Sequence, residues 1–248
     1  MTEEASEITL SKQDLREVTA FAAACAEVVL QVFEDDQPDD LRPRDAIGAA
    51  WEFARGGERG KTLRDKAWAA LQAAKSADTA AAREAARAAM SAAGAAYLHP
   101  LAKATQVKHI LGAGAYAARA AELVAGDDRS VGAEHLEQTL RRATPVVVGV
   151  LKRFPTAPSG GGRVGELIRI LDADLRSLVL AGQQDPADLA PPVLGAPDPV
   201  PFDLRPAGVD ITAPQQGGAA VPCGAAAHDV GLGPGSEAAD HRTGCRTR

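Results

Sequence analysis

An all-α fold is what this sequence predicts: one bundle of about seven helices over residues 8–181, followed by a disordered tail over residues 182–248. Three observations carry that expectation. Alanine dominates the first 180 residues; it has the best helix propensity and buries little area. Apolar residues make up 46% of the chain and aromatics only 4%, so the core must be aliphatic and closely packed. The only β-branched cluster, "PVVVGVL", is flanked by helical pattern, and no other run argues for a buried sheet.

The first helix is expected over residues 11–34. Ser11 and Asp14 form a capping-box pair. Leu15, Val18, Ala22, Cys25, Val29 and Val32 then recur at steps of three and four, which draws one apolar stripe along a helix. Cys25 lies on that stripe and reads as a small buried hydrophobe. The second helix starts near Pro43 and stops at Gly56-Gly57, as proline in the first turn and glycine at the end dictate. Its inward positions are Ile47, Ala50, Trp51 and Ala54. The third follows Thr62 to about Ala74, and the fourth runs over residues 79–98, ending before His99-Pro100. The fifth covers residues 105–124. The sixth covers residues 130–154, where Pro145 kinks or divides it. After the break "TAPSGGGRVG", Val164, Leu167, Ile168, Leu171, Leu175 and Leu178 share one side of a last helix over residues 164–180.

The tail differs in kind. Its 67 residues hold 10 of the 16 prolines and 10 of the 24 glycines, with Phe202 its sole aromatic. Such a segment buries too little apolar surface to offset its ordering entropy.

The net charge of −6 is unevenly spread: −9 over residues 1–58, +7 over residues 59–181 and −4 thereafter. Two readings fit: the oppositely charged regions attract each other as ordinary solvated faces, or a polarised surface steers a charged partner. The N-terminal "MTEEASEITL" is acidic, unlike a secretory leader, and no run of eighteen apolar residues suggests a membrane span. The three cysteines lack metal spacing. Together these features favour a cytoplasmic protein without membrane attachment.

Motifs for chemistry are sparse. "GGERGKT" ends like a phosphate-binding loop, but Arg55 stands where the first glycine belongs and a helix precedes it. A helix stop with an N-cap at Thr62 accounts for the same residues. "GAGAYA" matches a dinucleotide fingerprint at Gly112, Gly114 and Ala117. It lies inside a helical pattern, where small residues allow close helix crossing. His99 and His109 are weak metal candidates, since no H-x-x-x-H or E-x-x-H pair exists. There is no G-x-S-x-G elbow and no evident nucleophile. Scarce aromatics and an acidic total disfavour nucleic acid as a partner. No cofactor is expected.

The stretch from Asp35 to Gly57 gathers six acids and three arginines. Asp35, Asp36, Asp39 and Asp40 could coordinate a hard cation, but the calcium-loop spacing is absent. A local account also holds. Asp39 or Asp40 caps the following helix, and Arg42 or Arg44 pairs back to the acids.

"DDLRPRDAIGAAWEFARG" resembles a motif of a family of putative immunity proteins from bacterial toxin systems. The pattern is close to D-D-x-R-P-R-x-A-I-x-A-A-x-x-[WF]-A-R-G, met here from Asp39 to Gly56. The helices "AAREAARAAMSAAGAAY" and "HILGAGAYAARAAEL" are similar too, so the resemblance covers roughly residues 11–126. It implies an all-α bundle that binds and neutralises a cognate toxin, without established catalytic residues. The stretch "YLHPLAKATQVKH" is longer than the family's turn at that place. The partner contact is expected at Asp35, Asp36, Asp39, Asp40, Arg42 and Arg44. Two alternatives stand beside this reading. One is a helical enzyme that binds a metal or small molecule through His99, His109 and the acids. The other is a structural protein that self-associates through alanine-rich faces.

Overall fold

The computed structural model describes residues 7–178 and is all-α, with nine α-helices among those residues. Helix α1 (Lys12–Glu27) opens with the expected capping box. The Ser11 hydroxyl accepts from the Asp14 amide at 3.0 Å, and the Asp14 carboxylate accepts from the Ser11 amide at 2.9 Å. The segment expected as one helix over 11–34 is two. Val29 leaves helical geometry, and single-turn bonds from Val29 to Ala26 and from Val32 to Val29 replace the ladder. The bend keeps both Val29 and Phe33 in the core and turns α2 (Leu30–Asp36) onto α5.

Helix α3 (Arg42–Ala54) carries Pro43 in its first turn and ends where Gly56 adopts φ +120°, a backbone state that suits glycine. Ile47, Ala50 and Phe53 are its buried face. Trp51 is half-buried and donates its indole N–H to Glu27 at 3.3 Å. Helix α4 (Lys61–Ser76) begins two residues earlier than expected. Gly60 is its N-cap, and Thr62 is an exposed residue of the first turn.

Helices α5 (Ala80–Ala95) and α6 (Val107–Val124) form the centre of the bundle. A single 3-10 turn, Ala104–Gln106, leads into α6. Between them α5 and α6 touch every other helix of the described residues. This is what the alanines are for. Ala82, Ala85, Ala86, Ala89, Ala92 and Ala93 are buried, and their small side chains let several helices approach one axis at once. Those faces are therefore occupied within the chain. The G-x-G-x-x-A match lies in the middle of α6, where Gly114 faces Thr139 of α7.

The sixth expected helix is divided at Pro145, giving α7 (Arg129–Arg142) and α8 (Pro145–Lys152). Thr144 caps α8 through its hydroxyl, 3.3 Å from the Val147 amide. Helix α9 (Gly162–Ser177) returns across α6. The count rises from about seven to nine because the Val28-Val29 turn and Pro145 each interrupt a ladder that hydrophobic spacing alone reads as continuous. The expected tail over residues 182–248 lies outside the described residues.

One ion cluster joins α6 to α7 and α9. Glu122 on α6 has no exposed surface. Arg163 of α9 donates to its carboxylate at 2.5 and 3.1 Å, and Arg119 donates at 2.8 Å. Gly132 of α7 packs directly over the carboxylate, so closely that an added Cβ would overlap it.

Candidate functional site

The six acidic and basic residues singled out in the sequence line the corner where α2 hands over to α3. They do two kinds of work. Asp36 caps α5 from outside, accepting from the Asp78 and Thr79 amides at 3.0 Å each. Burial pushes its carboxyl up, but the bonds from Thr79, Asp78 and Gln37 outweigh it and hold the acid below its ordinary value. Asp40 accepts from the Arg42 guanidinium at 2.8 and 2.5 Å and from the Arg42 amide at 3.1 Å. The arginine lowers the Asp40 carboxyl. Arg42 reaches on to Ser76 of α4 at 2.9 Å. Arg44 grips Glu34 of α2 through two bonds of 2.7 and 2.5 Å. These four residues therefore pin α2, α3, α4 and α5 together, as the local reading expected for Asp40 and the arginines.

Asp35 and Asp39 remain exposed. Asp35 accepts one bond, from Gln31 at 2.7 Å. Two shallow concavities of about 530 and 580 Å³ open at this corner. The first is lined by Asp35, Asp36 and Leu123, and the second by Asp39, Asp40 and Arg42.

His99 and His109 come together elsewhere, in a cleft of about 810 Å³ between the start of α4 and the end of α5. Among the described residues, no group of three or more His, Cys, Asp or Glu is placed to hold a metal ion. The cleft is lined by cationic side chains and no carboxylate: Arg59, Lys61 and Arg64 join the histidines. Lys61 pairs with Asp65 at 2.6 Å. Arg59 donates to the Ala96 carbonyl at 3.1 Å. The guanidinium carbons of Arg59 and Arg64 lie 5.7 and 5.0 Å from the centre of the Tyr97 ring, a cation–π arrangement. Tyr97 is itself fixed, because its hydroxyl donates to the Gly60 carbonyl at 2.7 Å. Trp68 forms part of the wall and is 61% exposed.

Sequence reasoning missed Arg59, Arg64, Trp68 and Tyr97. A signal existed. Arg64 and Trp68 are four apart, so they share one face of a helix. The pseudo-phosphate loop "GGERGKT" supplies Arg59, Gly60 and Lys61, and its backbone serves as helix stop and start.

Burial lowers His109 below the ordinary histidine value of 6.5, and Lys108 and His99 add to the effect against a bond to the Gly94 carbonyl. Burial and Arg142 lower His135 likewise. The folded chain thus binds fewer protons than the unfolded chain as these groups titrate. The stability they contribute is full above pH 6.5 and is lost as pH falls below it. The urea midpoint is expected to be level from pH 8 to pH 7 and to fall between pH 6.5 and pH 5, with a shallower slope in His109→Gln. Equal slopes for both proteins would remove His109 from the account.

Cys25 is buried, and burial pushes its thiol up to about 12, so it is inert as a nucleophile. No helix of the described residues is long and apolar enough to cross a membrane. Residues 8–143 match a family model described as Imm-5 like putative immunity protein. No curated protein and no solved structure matches the chain.

Proposed function

This chain belongs to the Imm-5 like putative immunity protein family, and from that membership we propose that it is a non-enzymatic protein that captures and neutralises a cognate bacterial toxin. The family match over residues 8–143 is the observation that carries the reading. Capture needs a rigid face and no nucleophile, and a bundle pinned by cross-helix ion pairs offers one. The contact surface in this proposal is the acidic corner of α2 and α3. Asp35 and Asp39 supply its free charge, while Asp36, Asp40, Arg42 and Arg44 hold its shape. An acidic face suits a basic toxin, such as one that acts on nucleic acid. The chain would act in the cytoplasm of the cell it protects.

The test is to purify the full chain from its host with whatever it retains, and to assay the retained protein for toxicity with and without the chain. Asp35→Lys with Asp39→Lys is the informative double variant, because neither acid braces another helix. Its expected effect is about tenfold weaker inhibition, with association slowed most at low salt. Unchanged inhibition would move the contact off this corner. A retained protein with no toxicity, or none retained, would overturn capture itself.

A further inference from the structure

We propose that the cleft between α4 and α5 is a binding site for a small organic anion with a flat apolar body, such as an aryl phosphate or carboxylate. The inference is independent of the toxin-capture reading and uses other residues.

Four observations converge on it. The first is charge. Arg59, Lys61, Arg64, His99 and His109 line one cleft with no carboxylate among them, in a chain whose net charge is −6. Several surface cations elsewhere in this fold pair with acids, among them Lys12 with Glu58, Lys66 with Asp45 and Arg153 with Asp14. Arg64 makes no ion pair among the described residues, and Arg59 spares only one bond, to a carbonyl.

The second observation is order. A guanidinium fork matches a carboxylate or phosphate in geometry, but ordering its long stem usually weakens the gain. Here the stems are ordered beforehand. Tyr97 holds both guanidinium groups at its ring and is held in turn by Gly60.

The third is shape. About 810 Å³ falls in the range of ligand pockets, roughly 300–1,000 Å³. It suits one small molecule better than a polymer. The fourth is the wall. An indole left 61% exposed is an unusual use of a large apolar side chain, and Trp68 lies one turn along α4 from Arg64. Met90, Leu71 and Leu98 extend the apolar lining below it. A flat ring against Trp68 with its anionic group at Arg59 and Arg64 would satisfy both halves of the cleft.

Calorimetric titration of the full chain tests this with four probes: 1-naphthyl phosphate, 1-naphthoate, neutral 1-naphthol and inorganic phosphate. 1-Naphthoate distinguishes a phosphate site from a carboxylate site. The expected result is saturable binding of one naphthyl phosphate or naphthoate per chain, with naphthol and inorganic phosphate each at least about tenfold weaker. Arg64→Gln should weaken the anion by about tenfold and leave naphthol unchanged. That side chain makes no hydrogen bond whose loss would unfold the helix, so an unaltered melting curve is expected with it. Trp68→Ala should weaken the aryl anion and spare inorganic phosphate. The proposal is overturned if naphthyl phosphate and naphthoate bind no tighter than naphthol, if Arg64→Gln binds them unchanged, or if no probe binds at millimolar concentration.

Discussion

Replacing Glu122 by Gln is expected to lower the stability of the chain by about 3 kcal/mol, the loss typical of breaking one side of a buried ion pair. The carboxylate is wholly buried and takes hydrogen bonds from Arg163 and Arg119. An amide keeps the volume but removes the charge, and it presents N–H groups to guanidinium groups that also donate. Arg163 and Arg119 are only 16% and 19% exposed at the side chain, so water compensates them poorly. Each keeps one outer acid, Glu166 for Arg163 and Asp127 for Arg119. Those outer pairs should keep the loss from being larger. For a domain of this size the change corresponds to a melting temperature lower by roughly 10 °C. Urea unfolding followed by far-ultraviolet circular dichroism checks it. A loss below about 1 kcal/mol would mean that the cluster is solvated and contributes as a surface network does.

The position of this cluster gives the prediction a structural meaning. The family match ends at residue 143, and Arg163 lies beyond it on α9. Glu122 thus ties the family's helices to an element outside the match. In Glu122→Gln, protease cutting in the "TAPSGGGRVG" loop is expected to rise before the rest of the bundle opens.

Gly132→Ala is expected to cost about 2 kcal/mol, although alanine is worth about 1 kcal/mol over glycine in a free helix. The methyl group would overlap the Glu122 carboxylate, which cannot yield without leaving its arginines. Gly48→Ala on α3 is the control. No atom lies within 4 Å of its added Cβ, so it should gain about 0.5–1 kcal/mol. The two glycines look alike in sequence and should differ in sign. In a Glu122→Ala background the obstacle is gone, and the Gly132→Ala penalty should shrink by 1 kcal/mol or more. An undiminished penalty there would place the strain elsewhere.

Much of the architecture was legible in the residues themselves. The Ser11–Asp14 capping box, the helix over Pro43 to Gly56 and the small-residue face of α6 are all local. Each depends on neighbours within a turn or two, and a string of residues records such relations directly. The misreadings have the same origin. Hydrophobic spacing carries through Val28-Val29, so the turn there is invisible to periodicity. It exists because Phe33 must reach the core beside α5.

The acidic corner was half legible. That Arg42 returns to Asp40 follows from two residues of separation. That Asp36 caps a helix more than forty residues away does not. Sequence by itself determined the all-α class, the start of α1 and the span of α3, the inert Cys25 and the family. Only the tertiary structure decided which charges are committed and which are free, because that depends on what packing brings within 3 Å. It set Glu122 between two arginines from different helices, left Asp35 and Asp39 exposed, and gathered Arg59, Arg64, His99 and His109 around Tyr97 with no acid between them.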